Sequence, residues 1–255
     1  MLISLNEVLS FVIKANNGTV GKAYDLLIDD RSWTSRFLVA DTNTWMPMSH
    51  KALISPVALD ELNIQGEEVL VSISKEQVKA APSADSETPV SREFEKAYFD
   101  YFGYGYYWIG PSVWGDHAYP TALADDDVAS KKTRLEEAEE ETRHNHLRSI
   151  REIMHYGIIA TDGAKGHVYD FILDTYTWSL DYIVVDTRDW LPGGKKVLML
   201  PSQFSEISWS SQALMCDLTL EQVRACPEYK PESLNDLSYL ESVRHSLSQK
   251  VTSLT

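Results

Sequence analysis

The sequence GTVGKAYDLLID at residues 18–29 returns as GAKGHVYDFILD at residues 163–174, 145 positions later. The same offset aligns the chain without a gap from residue 2 to 82 and from residue 147 to 227. Self-similarity that keeps one register over this length indicates a duplicated domain. The repeat motif pairs Gly18 with Gly163, Gly21 with Gly166, Tyr24 with Tyr169, Asp25 with Asp170, Asp29 with Asp174, and Trp33 with Trp178.

Each copy has the pattern of a β-domain. Asn17-Gly18 and Asp162-Gly163 each follow a short apolar run, and Asn-Gly or Asp-Gly in that position is typical of a hairpin turn. We expect first-copy strands at 11–15, 21–29, 35–41, 51–56 and 68–74, with counterparts in the second copy. Ser74 and Thr219 predict short capped helices. Short strands at this spacing favour a small barrel or rolled sheet.

The motif, with the runs Phe37–Thr42 and Tyr182–Thr187 that follow it, resembles the PRC-barrel domain. That family is named for the cytoplasmic part of the photosynthetic reaction-centre H subunit, and the bacterial ribosome-maturation factor carries the same barrel. The resemblance implies a mainly β chain with two tandem six-stranded PRC-type β-barrels, a helical connector and a C-terminal helix. The expected domains are 1–82 (first barrel), 83–146 (connector), 147–227 (second barrel) and 228–255 (tail).

The connector begins with many aromatic residues. Ser91 is positioned to cap a helix that carries apolar residues at helical spacing, and the segment beyond Gly103 mixes tyrosine and tryptophan with glycine and proline. We call residues 91–120 the aromatic strap. One interpretation is packing on its own barrel or on a second subunit, and the other is a docking surface, because Tyr and Trp dominate interface hot spots. The predicted partner-binding residues are Tyr98, Tyr101, Tyr104, Tyr106, Tyr107 and Trp108.

Charge and composition narrow the class of partner. The net charge is −15, and residues 83–146 contribute −8 of it through 6 basic and 14 acidic residues. Such a chain is a poor direct binder of nucleic acid, which is recognised mainly through cationic side chains. We expect no transmembrane segment and no signal peptide. Two cysteines are too few for a disulfide framework, so we expect a cytoplasmic protein.

Few residues suggest chemistry. The pairs Asp25/Asp29 and Asp170/Asp174 invite an acid–base or metal role, but their duplication favours a structural one. His144 and His146 are too few ligands for a zinc site. Cys216 and Cys226 replace small apolar residues of the first copy and predict packing. We therefore expect no catalytic residue, no metal and no cofactor. Trp45 and Trp190 are expected in the core or between the barrels.

The expected function is a non-catalytic interaction or regulatory module whose partner is another protein or the chain itself, as a homo-oligomer. One alternative is assistance in ribosome maturation or RNA processing through a ribosomal protein. A second is a peripheral subunit of a photosynthetic or other membrane complex. A third is a hydrolytic or metal-dependent enzyme. The tail, residues 232–251, predicts an amphipathic helix that docks on a barrel or on a partner helix.

Overall fold

The computed structural model describes residues 1–42, 51–82, 90–126, 147–163, 165–188, 193–208 and 210–252. The chain is mainly β, with two seven-stranded mixed sheets and several helices. Packing divides it into two units. The amino-terminal unit comprises Glu7–Ile150 and Tyr176–Ser179, and the carboxy-terminal unit comprises Met1–Asn6, Arg151–Thr175 and Leu180–Thr255.

The strands follow the duplicated order of the sequence. They are β1 (Leu2–Ser4), β2 (Val12–Ala15), β3 (Gly18–Asp29), β4 (Thr34–Asp41), β5 (Lys51–Ile54), β6 (Leu59–Asn63), β7 (Glu68–Val71), β8 (Leu147–Ser149), β9 (Gly157–Ile159), β10 (Lys165–Asp174), β11 (Leu180–Asp186), β12 (Lys196–Met199), β13 (Phe204–Ser208) and β14 (Ala213–Cys216). The helices are α1 (Leu5–Val8), α2 (Lys75–Ala80), α3 (Arg92–Phe102), α4 (Ile150–Ile153), α5 (Leu220–Arg224) and α6 (Leu237–Thr252). None of these helices is both long and apolar enough to cross a membrane.

The two sheets share one topology. The order is β5-β4-β3-β2-β7-β6 with β8 on β3 in one, and β12-β11-β10-β9-β14-β13 with β1 on β10 in the other. Neighbours are antiparallel except β2 with β7 and β9 with β14. The predicted β2–β3 hairpin is confirmed, with Ala15 opposite Gly18. The described residues form no ladder between β5 and β6 or between β12 and β13, so neither sheet closes into a barrel through the pairings observed.

The first strand of each copy pairs with the sheet of the other copy. β1 runs antiparallel to the end of β10, with Ser4 opposite Ile172. β8 runs antiparallel to the end of β3, with Ser149 opposite Leu27. The offset of 145 residues converts one register into the other. Because of this exchange, the two packing units cut across the repeat boundary expected near residue 147.

A buried aspartate fixes each exchanged strand. The Ser4 hydroxyl donates to Asp170 Oδ2 at 2.5 Å, and the Ser149 hydroxyl donates to Asp25 Oδ2 at 2.6 Å. Each aspartate also accepts the backbone N–H of the following residue at 2.8 Å. Burial raises the pKa of Asp170, and these donors oppose that shift. A carboxylate is tolerated in a core when its oxygens are hydrogen-bonded, so both aspartates have structural positions.

Other motif residues also have local structural roles. A Cβ on Gly21 would lie 1.9 Å from the Asp41 carbonyl oxygen, so this crossing of β3 and β4 admits only glycine. Trp33 and Trp178 have positive φ angles of 51° and 58° at equivalent turns. The ammonium groups of Lys51 and Lys196 lie 4.1 and 3.2 Å from the ring centroids of Tyr24 and Tyr169, respectively.

The capped helices are confirmed, and the tail helix begins later than predicted. Ser74 and Thr219 each form a capping box at the start of α2 and α5. The tail first makes a 3-10 turn at Pro231–Ser233, and α6 begins at Leu237 because Asp236 Oδ1 accepts the N–H groups of the next turn. Buried α6 residues Leu240, Val243 and Leu247 pack within the carboxy-terminal unit.

Candidate functional site

Helix α3 forms the first part of the aromatic strap and lies within the amino-terminal unit. The Ser91 side chain accepts the N–H of Phe94 and caps the helix, as predicted. At the other end Gly103 has a φ of 73°, and the N–H of Tyr104 returns to the Phe99 carbonyl, which closes a Schellman-type cap. This cap fixes the direction in which the rest of the strap, from Tyr104 onward, leaves the helix. That part of the strap belongs to the same unit.

The inner face of α3 packs on β4 through aromatic rings. The Phe37 ring lies 4.9 Å from Tyr98, edge to face, and 6.3 Å from Phe99. The Tyr98 hydroxyl donates to the Leu53 carbonyl and accepts the Ser55 N–H, both at 3.1 Å. Burial holds the pKa of the Tyr98 hydroxyl far above its ordinary value. Edge-to-face ring pairs add stability beyond the area that they bury.

Beyond the helix, Tyr107 is the centre of a buried polar network. Its hydroxyl donates to Glu95 Oε1 at 2.5 Å and accepts from Arg92 Nη1 at 3.0 Å. Arg92 also pairs with Glu95 Oε2 at 2.9 Å, and its guanidinium lies 4.1 Å from the centroid of Trp108. Burial first, and then the charge of Glu95, raise the pKa of the Tyr107 hydroxyl well above 10. A buried charge persists in a core only when it is paired in this way.

Arg36 projects from β4 into the same network and is only 3% exposed. Its guanidinium lies 3.8 Å from the Tyr107 ring centroid and 4.7 Å from that of Trp114. Nη1 donates to the Val113 carbonyl at 2.5 Å, and Nη2 donates to Ser32 Oγ at 3.2 Å and to Asp29 Oδ2 at 3.4 Å. Arg36 thus joins the sheet, the turn after β3 and the far end of the strap.

An open cleft of about 310 Å³ lies between these elements. Its rim is exposed at Arg31, Gly110, Pro111 and Ser112. The remaining lining residues are Asp29, Ser32, Arg36, Arg92, Tyr107, Trp108 and Val113. Three arginines line the cleft in a chain of net charge −15. Three carboxylates lie near them: Asp29 faces Arg36, Glu95 binds Arg92, and Asp116 lies beside Gly110.

Three N–H donors in the residues around this cleft lack an acceptor. Nε of Arg36, Nε of Arg92 and Nε1 of Trp108 are buried and make no hydrogen bond within the described part of the chain. Leaving a buried donor unsatisfied costs about 1–3 kcal/mol, and such groups are rare in native proteins. Three of the six such atoms found among the described residues belong to residues that line this cleft.

The second copy differs from the first at the position of Arg36. The offset of 145 residues places Asp181 there, while Asp174 corresponds to Asp29. In the carboxy-terminal unit, burial first and then the charge of Asp174 raise the pKa of Asp181 to about 6, and Arg244 of α6 opposes the shift. Equivalent positions of the two copies thus carry opposite charges.

The six predicted partner-binding residues have different exposures. Tyr98, Tyr104, Tyr106 and Tyr107 are buried, so they do not form an open docking surface on this unit. Tyr101 is 43% exposed, and Trp108 is partly exposed at the cleft. The observed packing agrees with a strap that covers its own sheet.

Sequence reasoning missed Arg36 and Arg92, which hold the site together. The available signal was an arginine directly before the apolar run Phe37–Ala40, at a position where the second copy has aspartate. It did identify Asp29, although as a turn residue. Asp29 Oδ1 accepts the Arg31 N–H at 3.0 Å, as a turn residue does, while Oδ2 faces Arg36.

Other candidates lie elsewhere or outside the described residues. Cys216 and Cys226 are buried thiols outside any disulfide, and burial raises the pKa of the Cys216 thiol to about 11. The described residues contain no group of three His, Cys, Asp or Glu side chains placed to hold a metal ion. His144, His146, Trp45 and Trp190 lie outside the described ranges.

In comparison with known proteins, no family model and no curated protein sequence matches the chain.

Proposed function

We propose that this chain is a non-catalytic interaction module, built from two PRC-type β-barrels, that binds a protein partner at the cleft of its aromatic strap. The PRC-type assignment rests on the repeat motif of the sequence, and the strand order shared by both sheets supports the duplication. Two buried cysteines that are not joined by a disulfide support a reducing compartment such as the cytoplasm.

The observation that carries the interaction role is the composition of the cleft. Arginine, tyrosine and tryptophan are the residues that dominate interface hot spots. Arg31 is exposed and Trp108 is partly exposed at the cleft, where a partner can contact them. Behind them the buried side chains of Arg36, Arg92 and Tyr107 are held in place by packing and hydrogen bonds. A wall fixed in this way loses little conformational entropy on binding, so contacts at its surface retain more of their energy.

Site-specific photo-crosslinking in native cells tests the proposal. A photoreactive amino acid replaces Ser112 on the exposed rim of the cleft in the full-length chain. The control carries the same amino acid at the exposed Lys22 on β3, seven residues along that strand from Asp29 and so roughly 23 Å away at about 3.3 Å per residue.

We expect one protein to cross-link from Ser112 and not from Lys22, as read by mass spectrometry. A ribosomal protein or a membrane-complex subunit would identify the pathway, and a second copy of the chain would identify a homo-oligomer. The same set of weak products from both positions would contradict a partner at the cleft.

A further inference from the structure

The charge balance of the cleft indicates the chemical group that it takes. Arg92 is neutralised by Glu95 at 2.9 Å, and Arg36 faces Asp29 at 3.4 Å. The guanidinium of Arg31 makes no ion pair or hydrogen bond within the described residues and stands exposed at the rim. Arg31 is therefore the cleft arginine with no paired carboxylate among the described residues, and one unpaired guanidinium matches one carboxylate.

The positions of the donors also favour an anion. Arg92 is the first residue of α3, so its charge adds to the partial positive charge at a helix amino terminus. The side chains of Arg36 and Arg92 line the same cleft, so their charges lie close to a group bound there. Their unpartnered Nε–H groups and the indole N–H of Trp108 are buried within its wall.

We propose that the cleft binds a carboxylate group of the partner, supplied by a chain terminus or by an acidic side chain, on the exposed guanidinium of Arg31. This inference rests on the proposed interaction role. Guanidinium groups bind carboxylates through paired charge-assisted hydrogen bonds, and the aromatic rings around them reduce competition from water. The second copy carries Asp181 at the position of Arg36, a charge that opposes an anion there.

Nuclear magnetic resonance of the full chain with small probes tests the proposal. Tryptophan labelled with nitrogen-15 gives separate indole signals, and Trp108→Phe assigns the signal of Trp108 among the seven tryptophans. The probes are acetate, N-acetylalanine for a chain terminus, and the α-amide of N-acetylglutamate for an acidic side chain. Inorganic phosphate is the dianionic comparison, and sodium chloride at equal ionic strength corrects for salt.

We expect the Trp108 indole signal to shift in a saturable way with the carboxylates. Arg31→Gln should weaken this binding roughly tenfold, as expected for one charge-assisted contact. Lys22→Gln removes the same charge far along β3 and should change it less than about twofold, because exposed charges at that distance are screened. The tighter of N-acetylalanine and the glutamate amide identifies the source of the carboxylate.

Two results would overturn the assignment. One is saturation by phosphate at a lower concentration than by acetate, which would make the site dianionic. The other is no shift beyond that caused by sodium chloride. Neither result decides the interaction role, since a partner that contacts the rim through other groups still cross-links from Ser112.

Discussion

Replacing Ser4 with alanine should loosen the sheet that contains β10, although Ser4 belongs to the first copy of the repeat. The Ser4 hydroxyl is buried and lies 2.5 Å from Asp170 Oδ2. A hydrogen bond to a charged group contributes about 1.5–3 kcal/mol. Asp170 keeps the N–H donors of Asn6 and Phe171, so we expect a loss of about 1.5 kcal/mol, at the low end of that range.

Hydrogen exchange read by mass spectrometry measures where that loss falls. A decrease of about 1.5 kcal/mol speeds exchange roughly tenfold in amides that exchange when the unit opens. Ser4→Ala should accelerate peptides from β10 and β11 and leave those from β3 and β4 unchanged. Ser149→Ala is the matched control and should do the reverse, because its hydroxyl donates to Asp25 on β3 at 2.6 Å.

The reasoning is refuted if Ser4→Ala accelerates β3 and β4 instead, since that result would place each first strand in the sheet of its own copy. Equal acceleration in both sheets would also contradict it.

Three further predictions concern single side chains. Asp181 has a pKa of about 6 against an ordinary 3.8, so its stability contribution is complete below pH 3.8 and is lost as the pH rises through 6. Asp181→Asn should reduce the fall in the free energy of unfolding across this pH range by about 1–2 kcal/mol, after allowance for the partial exposure of Asp181. Tyr98→Phe should lower the free energy of unfolding by about 1–2 kcal/mol in urea titrations, whereas Tyr101→Phe, with an exposed ring, should change it by less than about 0.5 kcal/mol. Gly21→Ala should lower the free energy of unfolding by more than about 3 kcal/mol, because the new Cβ would clash with the backbone. Gly103→Ala meets no atom within 4 Å and should lower it by about 1 kcal/mol, because of the positive φ at that position. Similar melting temperatures for the two variants would contradict the clash.

The sequence predicted most of the strands because the duplication supplied each pattern twice. β2 to β5 and β7 follow from hairpin turns and apolar runs, and α3 follows from Ser91 and its aromatic spacing. β6 was missed because LDELN is an edge strand with polar exposed positions, a pattern that does not separate a strand from a loop.

The strand exchange could not be predicted, for a physical reason. β1 and β8 are only three residues long, and their patterns fit the end of β3 or of β10 equally well, because the two copies are alike. The cleft was missed for a different reason. Arg36 and Arg92 are 56 positions apart, and only the packing of α3 on β4 brings their guanidinium groups to the same tyrosine.

Because β1 and β8 are exchanged, the covalent link between the two copies contributes to the stability of both sheets. If the chain were cut between Asp126 and Leu147, each fragment would still hold a strand that completes the sheet of the other. Reassembly would then depend on fragment concentration, whereas in the intact chain the missing strand is always present at a high effective concentration. Duplication within one chain therefore supplies each sheet with its exchanged strand at any protein concentration.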